Sequence, residues 1–193
     1  TAFSTLNTTT FAGNKVLNIW PYTHNNTLGF TVIQTTDYRI WFSGSNSNGV
    51  FGNGSATNTS SFVDVTSYWG NLFLPIQNIV ASIDSTPSAF CMIHRKNGAA
   101  DVLHLSGFLN SSSPIAPANV SLSFLQAGET ITQLTNSGTC TNNYRIYLLT
   151  SNNNLFLYGW NIMGTTSTSS FTNVGTGVTR VLTPLGISDN MGD

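Results

Sequence analysis

Residues 44–54 read GSNSNGVFGNG, four glycines in eleven positions, in the order G-x-N-x-x-G-x-x-G-x-G. Glycine loses more backbone freedom on folding than any other residue, so this density signals a backbone that needs it. Two devices fit: a loop cradling phosphate, or a tight turn between strands. A phosphate loop needs a lysine and a following helix whose N-terminus faces the anion. The next residues, SATNTSSF, supply neither. The turn reading therefore holds, and the flanking sequence is expected to be strand.

Upstream, GFTVIQ (29–34) and YRIWFSG (38–44) alternate around the turn TTD, as two strands of a hairpin do. The pattern returns as AFCMIH (89–94) with DVLHLSG (101–107), and as YRIYLLT (144–150) with LFLYG (155–159). Each second strand closes on glycine: Gly44, Gly107 and Gly159. A further strand-like run opens each unit, at 16–20, 76–82 and 131–135, and VTRVL (178–182) reads as the start of a fourth. A Ser/Thr-rich signature also recurs: NTTTF, NTSSF, SSSP and STSSF. Its closing residues Phe11, Phe62, Pro114 and Phe171 are 51, 52 and 57 residues apart. No stretch carries helical periodicity with caps. Repeated units of this length with three to four strands imply propeller blades. The expected fold is all-β, one domain over 1–193, with repeats at 12–62, 63–114 and 115–171 and a partial blade at 172–193.

The run IWFSGSNSNGVFGNG, closing on SSF, resembles the blade signature of the regulator of chromosome condensation (RCC1) repeat family. Gly44, Asn46, Gly49, Gly52 and Gly54 match it, Val50–Phe51 stand where the family has Gln-Leu, and Phe62 stands for proline. The second unit keeps Gly107 and Pro114; the third keeps Gly159, Asn161 and Gly164. The resemblance implies RCC1-like β-propeller blades, in a family of closed and usually seven-bladed rings. Three repeats fall short of that, so a partial propeller, or one completed by oligomerisation, is expected. The family's nuclear member acts on a small GTPase and chromatin with an acidic face and a basic tail, of which this chain has little.

Charged residues are only 7% of the 193, net charge is −1, and aromatic residues are 11%. With six scattered Lys and Arg there is no basic patch for nucleic acid. No apolar run is long enough for a spanning helix, so membrane insertion is not expected. Residues 1–14 do not read as a signal peptide. Cys91 and Cys140 fit no zinc spacing; they read either as packed thiols or as a bridge between repeats. Six Asn-x-Ser/Thr sites are a number that so Asn/Ser/Thr-rich a chain reaches by chance.

His94 and His104 flank the second hairpin turn, near each other but without a third ligand, so no metal site is expected. The acids are dispersed, with no facing carboxylate pair, and no nucleophile motif is present. The chain reads as non-enzymatic and without a cofactor. The candidate binding residues are aromatic: Trp20 and Tyr22 in WPY, Tyr68 and Trp69 in YW, with turns 24–28, 97–100 and 151–154 forming an exposed face. Two functions are consistent with these features. The first is host attachment by a virion, as the receptor-binding part of a bacteriophage tail fibre. Its partners would be a cell-surface glycan or protein and other copies of the chain, and its location the virion or the extracellular space. The second is an RCC1-like protein-interaction module acting as a regulator or enzyme inhibitor.

Overall fold

A computed structural model describes residues 8–23, 28–46, 48–70, 73–83, 89–107, 116–137, 145–160 and 167–181. The described residues are almost wholly β. Blade 1 contains β1 (Val16–Thr23), β2 (Gly29–Thr35), β3 (Ile40–Gly44) and β4 (Thr59–Asp64). Blade 2 contains β5 (Ile76–Ile83), β6 (Ala89–Asn97), β7 (Ala100–Gly107) and β8 (Ala118–Asn119). Blade 3 contains β9 (Ile131–Ser137), β10 (Arg145–Thr150), β11 (Leu155–Trp160) and β12 (Ser167–Gly175). Each is a four-stranded antiparallel sheet with strands in sequence order. The first strands β1, β5 and β9 neighbour one another in series.

Alternation along the strands gives each blade two apolar faces. Phe30, Val32, Ile40 and Phe42 on the forward face of blade 1 meet Ala81, Ala89, Cys91 and Ile93 of blade 2. Phe90, Met92, Leu103 and Leu105 on the other face of blade 2 meet Leu134, Ile146, Leu148 and Phe156 of blade 3. Such blades cannot stand alone, because a sheet apolar on both faces needs cover on both.

The three glycines lie at the close of equivalent strands, Gly44 and Gly107 as the last residue and Gly159 as the last but one. Gly44 opposes Phe30, Gly107 opposes Phe90 and Gly159 opposes Arg145. Their φ values are 115°, 97° and 104°. A Cβ on Gly44 would lie 2.7 Å from the Phe30 Cα, and one on Gly107 would lie 2.9 Å from the Phe90 Cα. Only glycine permits both the dihedral and the approach.

The stretch after Gly44 is an inter-blade plug. Asn46 is fully buried and holds the loop together: its side-chain amide donates to the Ser55 carbonyl at 2.9 Å and its Oδ1 accepts from the Phe51 N–H at 3.0 Å. The loop's amides are thus engaged internally, as are the Gly49 and Gly52 N–H groups through one-turn bonds. Val50 and Phe51 are buried in the joint between blades 1 and 2. Ser106 Oγ donates to the Gly49 carbonyl, and Trp69 Nε1 to the Phe51 carbonyl. Gly52 lies so close to Pro117 and Ser106 that a Cβ there would collide with both. Gly54 has open space and needs glycine only for its φ of 75°. Asn161 and Gly164 lie outside the described residues.

One side chain per blade fastens the entry to the next blade. Gln34 Oε1 accepts from the N–H of Ile76, the first residue of β5, at 3.0 Å, and its Nε2 donates to the Leu74 carbonyl at 2.9 Å. Asp101 Oδ2 accepts from the N–H of Ile131, the first residue of β9, at 2.7 Å. Gln133 accepts from the Val181 N–H at 3.2 Å and donates to its carbonyl at 2.6 Å. Residues 178–181 are therefore held at a strand-entry position, yet they form no strand, contrary to the reading of VTRVL; residue 182 is outside the described set.

The Ser/Thr signature also needs correcting. NTSSF and STSSF fall in outer strands β4 and β12, and SSSP lies outside the described residues, but the end of NTTTF is a short 3-10 turn, Thr8–Phe11. Strand β1 begins too soon after Phe11 for an outer strand and its connection to fit between them. Phe11 instead covers Trp41 and Phe62, each with ring centroids 5.4 Å away. Phe124, on the connection into blade 3, covers Phe156 and Phe171 in the same manner at 4.6 and 5.3 Å.

Candidate interaction surface

Three of the four aromatic residues expected to bind are part of the packing. Trp69 is fully buried and stacks on Phe42 at 5.9 Å and 13°. The residue sits on a loop by sequence, but the connection folds back between blades and carries it inward. Trp20 and Tyr22 are half-buried on the forward side of β1 and pack into the first joint. The Tyr22 hydroxyl donates to the Ile79 carbonyl at 3.3 Å, and burial, with a smaller contribution from Cys91, pushes its pKa up. Tyr68 alone projects, at 50% exposure.

The two histidines do not form a pair. His94 opposes Leu103 and His104 opposes Ile93, so their side chains leave the sheet on opposite faces. His94 Nε2 lies 2.8 Å from Asp101 Oδ1, inside the second joint. Burial lowers its pKa, and Asp101 works against that shift. His104 Nδ1 lies 2.9 Å from Arg95 Nη2, inside the first joint, and Arg95 also donates to the Trp69 carbonyl. Burial first and the Arg95 charge second lower the His104 pKa to about 4, while burial lowers that of Arg95 to about 10. A neutral His104 accepts from Arg95, so both groups act in packing. Cys91 is buried and unbridged, with its thiol pKa raised by burial. Cys140 lies outside the described residues.

A further exposed group gathers around Arg39. The β2–β3 turn brings Asp37, Tyr38 and Arg39 to one end of blade 1, where β4 also ends at Asp64. Arg39 Nε lies 3.0 Å from Asp37 Oδ2 and its Nη1 lies 2.8 Å from Asp64 Oδ2. The Asp64 hydrogen bond and charge, then Asp37, raise the Arg39 pKa despite some desolvation. Burial alone would raise the Asp64 pKa; hydrogen bonds from the Thr66 hydroxyl and N–H, together with Arg39, hold it below the ordinary value. Asp37 is braced further by Thr35 Oγ1 at 2.6 Å and by Asn14 Nδ2 at 2.9 Å. The guanidinium faces the Phe73 ring at 6.0 Å from its centroid. Phe73 is 49% exposed and Tyr38, held at a φ of 64°, is 37% exposed. Tyr68 lies on the turn that follows β4, four residues after Asp64. The turns at 97–100 and 151–154 lie at the corresponding ends of blades 2 and 3, and Asn97–Ala100 and Ser151–Asn153 are exposed without aromatic residues. Of turn 24–28 only Leu28 is described.

The comparisons bear on the fold. No protein-family model matches the chain, and no curated protein matches it in sequence. Among solved structures it is similar to human WBSCR16, an RCC1-like protein, with a TM-score of 0.57 and 14% identity. That match covers 83% of this chain and 38% of the other, so the chain spans well under half the length of its structural neighbour. A likeness at this identity speaks for a blade-type fold.

Proposed function

We propose that this chain is a non-enzymatic protein-interaction module, part of an RCC1-like propeller, that binds a protein through the end of blade 1 carrying Tyr38, Arg39, Tyr68 and Phe73. The observation that carries this reading is an arginine fixed by two carboxylates, with the exposed Phe73 ring against it and the exposed Tyr38 beside it in the turn. Tyrosine, phenylalanine and arginine are enriched in protein interfaces, and residues held in place before binding lose little entropy on association. The likeness to an RCC1-like protein fits the same reading. The alternative of a phage tail fibre that attaches to its host rests on the low charge, the Asn/Ser/Thr/Gly composition and the degenerate repeats, and no comparison favours it. Regulation or inhibition would then be exerted by occupying a partner's surface.

The test is affinity capture with crosslinking from the cells that make the protein, using the wild type and a Tyr68→Ser/Phe73→Ser double variant. Loss of at least ten-fold in the affinity of the principal crosslinked partner is expected, with the melting temperature unchanged. Unaltered binding, or binding lost only on changing the opposite end of the blade, would rule the surface out.

A further inference from the structure

The hairpin of blade 2 is longer than its counterparts. Counted from the closing glycine, its two strands pair over eight positions, from Phe90 with Gly107 to Asn97 with Ala100, against five in blade 1 and five in blade 3. The connection from β8 to β9 runs alongside this extension. Between the two lies an opening of about 460 Å³, walled by Ala99, Ala100 and Asp101 on one side and by Leu122, Leu125 and Glu129 on the other. A second hollow of about 280 Å³, sharing Asp101 and Leu122, continues it along β7 to Leu103.

Two features of this groove are unused by the fold. The first is main chain. The Leu103 carbonyl accepts from the Val120 N–H, so Leu103 turns its backbone groups to the outer edge of the sheet, and by alternation so does Asp101. Among the described residues the outer strand pairs only His104 and Leu105 and does not reach Asp101. The Asp101 side chain is 2% exposed although the residue is half-buried, so what it shows to solvent is main chain. The second feature is charge. Asp101 is held by the Ile131 N–H and by His94, whose pKa burial lowers. Glu129 accepts from the Gln126 N–H, the Thr150 hydroxyl and the Asn154 amide, all of them neutral. Among the described residues no lysine or arginine pairs with either carboxylate, and Lys96 stands opposite Asp101 in the ladder without an ion pair. Two such carboxylates beside leucine side chains attract a cation carried on an aliphatic stem.

We propose that this groove takes an extended segment of a partner protein, added as a strand beside Asp101, with a lysine or arginine side chain laid over Leu122 and Leu125 and its charged head at Glu129. Main-chain bonds to the Asp101 N–H and carbonyl set the register of the segment. The two carboxylates set its preference for a basic residue over an apolar one. The groove lies between blades 2 and 3, apart from the surface on blade 1, and neither depends on the other.

The test is selection of peptides from a displayed random library on the whole protein, followed by binding measurements with synthetic copies of those enriched. The enriched peptides are expected to share a lysine or arginine among strand-forming residues. They should bind at least ten-fold more weakly to an Ala99→Lys variant, whose ammonium competes for the same carboxylates from an exposed turn. The Tyr68→Ser/Phe73→Ser variant should bind them as the wild type does. In the complex the Asp101 amide should exchange at least ten-fold more slowly than in the free protein. The proposal is overturned if no peptide is enriched, if the enriched peptides lack a basic residue, if Ala99→Lys binds them unchanged, or if exchange at Asp101 is unaltered.

Discussion

The two joints between blades perform one task with different chemistry. The first is aromatic: Phe42 lies against Phe30, Phe51 and Trp69 within 5.1–5.9 Å, and the entry to β5 is fastened by the neutral amide of Gln34. The second also buries rings, Phe90, Phe156, Tyr158 and Phe171, among aliphatic side chains, but is fastened by a carboxylate, Asp101, that also holds His94. Each joint buries a histidine, His104 beside a cation in the first and His94 beside an anion in the second. Packing shape is thus the common requirement, while the polar fastening is free to vary.

The comparison can be broken most severely through the first joint's core. Phe42→Ala should destabilise the chain by about 3–5 kcal/mol, since it opens a cavity amid three rings. The check is chemical denaturation, and a loss under about 1 kcal/mol would mean the rings are not packed as described.

Acid should separate the joints next. His104 is held well below its unfolded pKa, so the unfolded chain binds the proton more readily. Stability should be fully present above about pH 6.5, fall as pH drops below it, and level off below the folded value of about 4. The expected loss from this residue is on the order of 3 kcal/mol. His94 is lowered as well and adds in the same direction, with Asp101 limiting its share. His104→Asn, which keeps an acceptor but not the titration, should flatten most of the profile in thermal melts between pH 7 and 4.

Smaller effects belong to the fastenings. Gln34→Ala should raise hydrogen exchange at the Ile76 amide and leave Ile131 protected, and Asp101→Ala should do the reverse. Each is expected to lower stability by about 1–2 kcal/mol. The smallest contrast lies between glycines of the opening stretch. Gly54→Ala should lose about 1 kcal/mol from its dihedral alone, whereas Gly52→Ala also meets Pro117 and should lose more.

How much of this was legible depends on range in sequence. The hairpins follow from local alternation, and Gly44, Gly107 and Gly159 announce strand ends because a positive φ leaves a residue-type mark. The plug role of Val50 and Phe51 does not, since it depends on blade 2 lying alongside. Trp69 reads as a surface aromatic because its partners Phe42 and Phe51 are 27 and 18 residues away. Gln34 and Asp101 act over 42 and 30 residues, and nothing local distinguishes them from solvent-facing polar residues. Of the proposed interaction surface, Tyr68 is visible in the sequence as a loop aromatic. Arg39 and Phe73 are not, although Asp37 two residues before Arg39 in the turn is an available hint.

Amide hydrogen exchange of the wild-type chain by NMR tests the stacking of blades most directly. Ile76 and Ile131 begin their strands, and their N–H groups are held by side chains of the preceding blade. Exchange at both amides near the rate of global unfolding is the result expected of stacked blades. Exchange as fast as at Thr57, whose amide is held only by the Ser55 hydroxyl on the exposed loop before β4, would show that the blades do not meet as described.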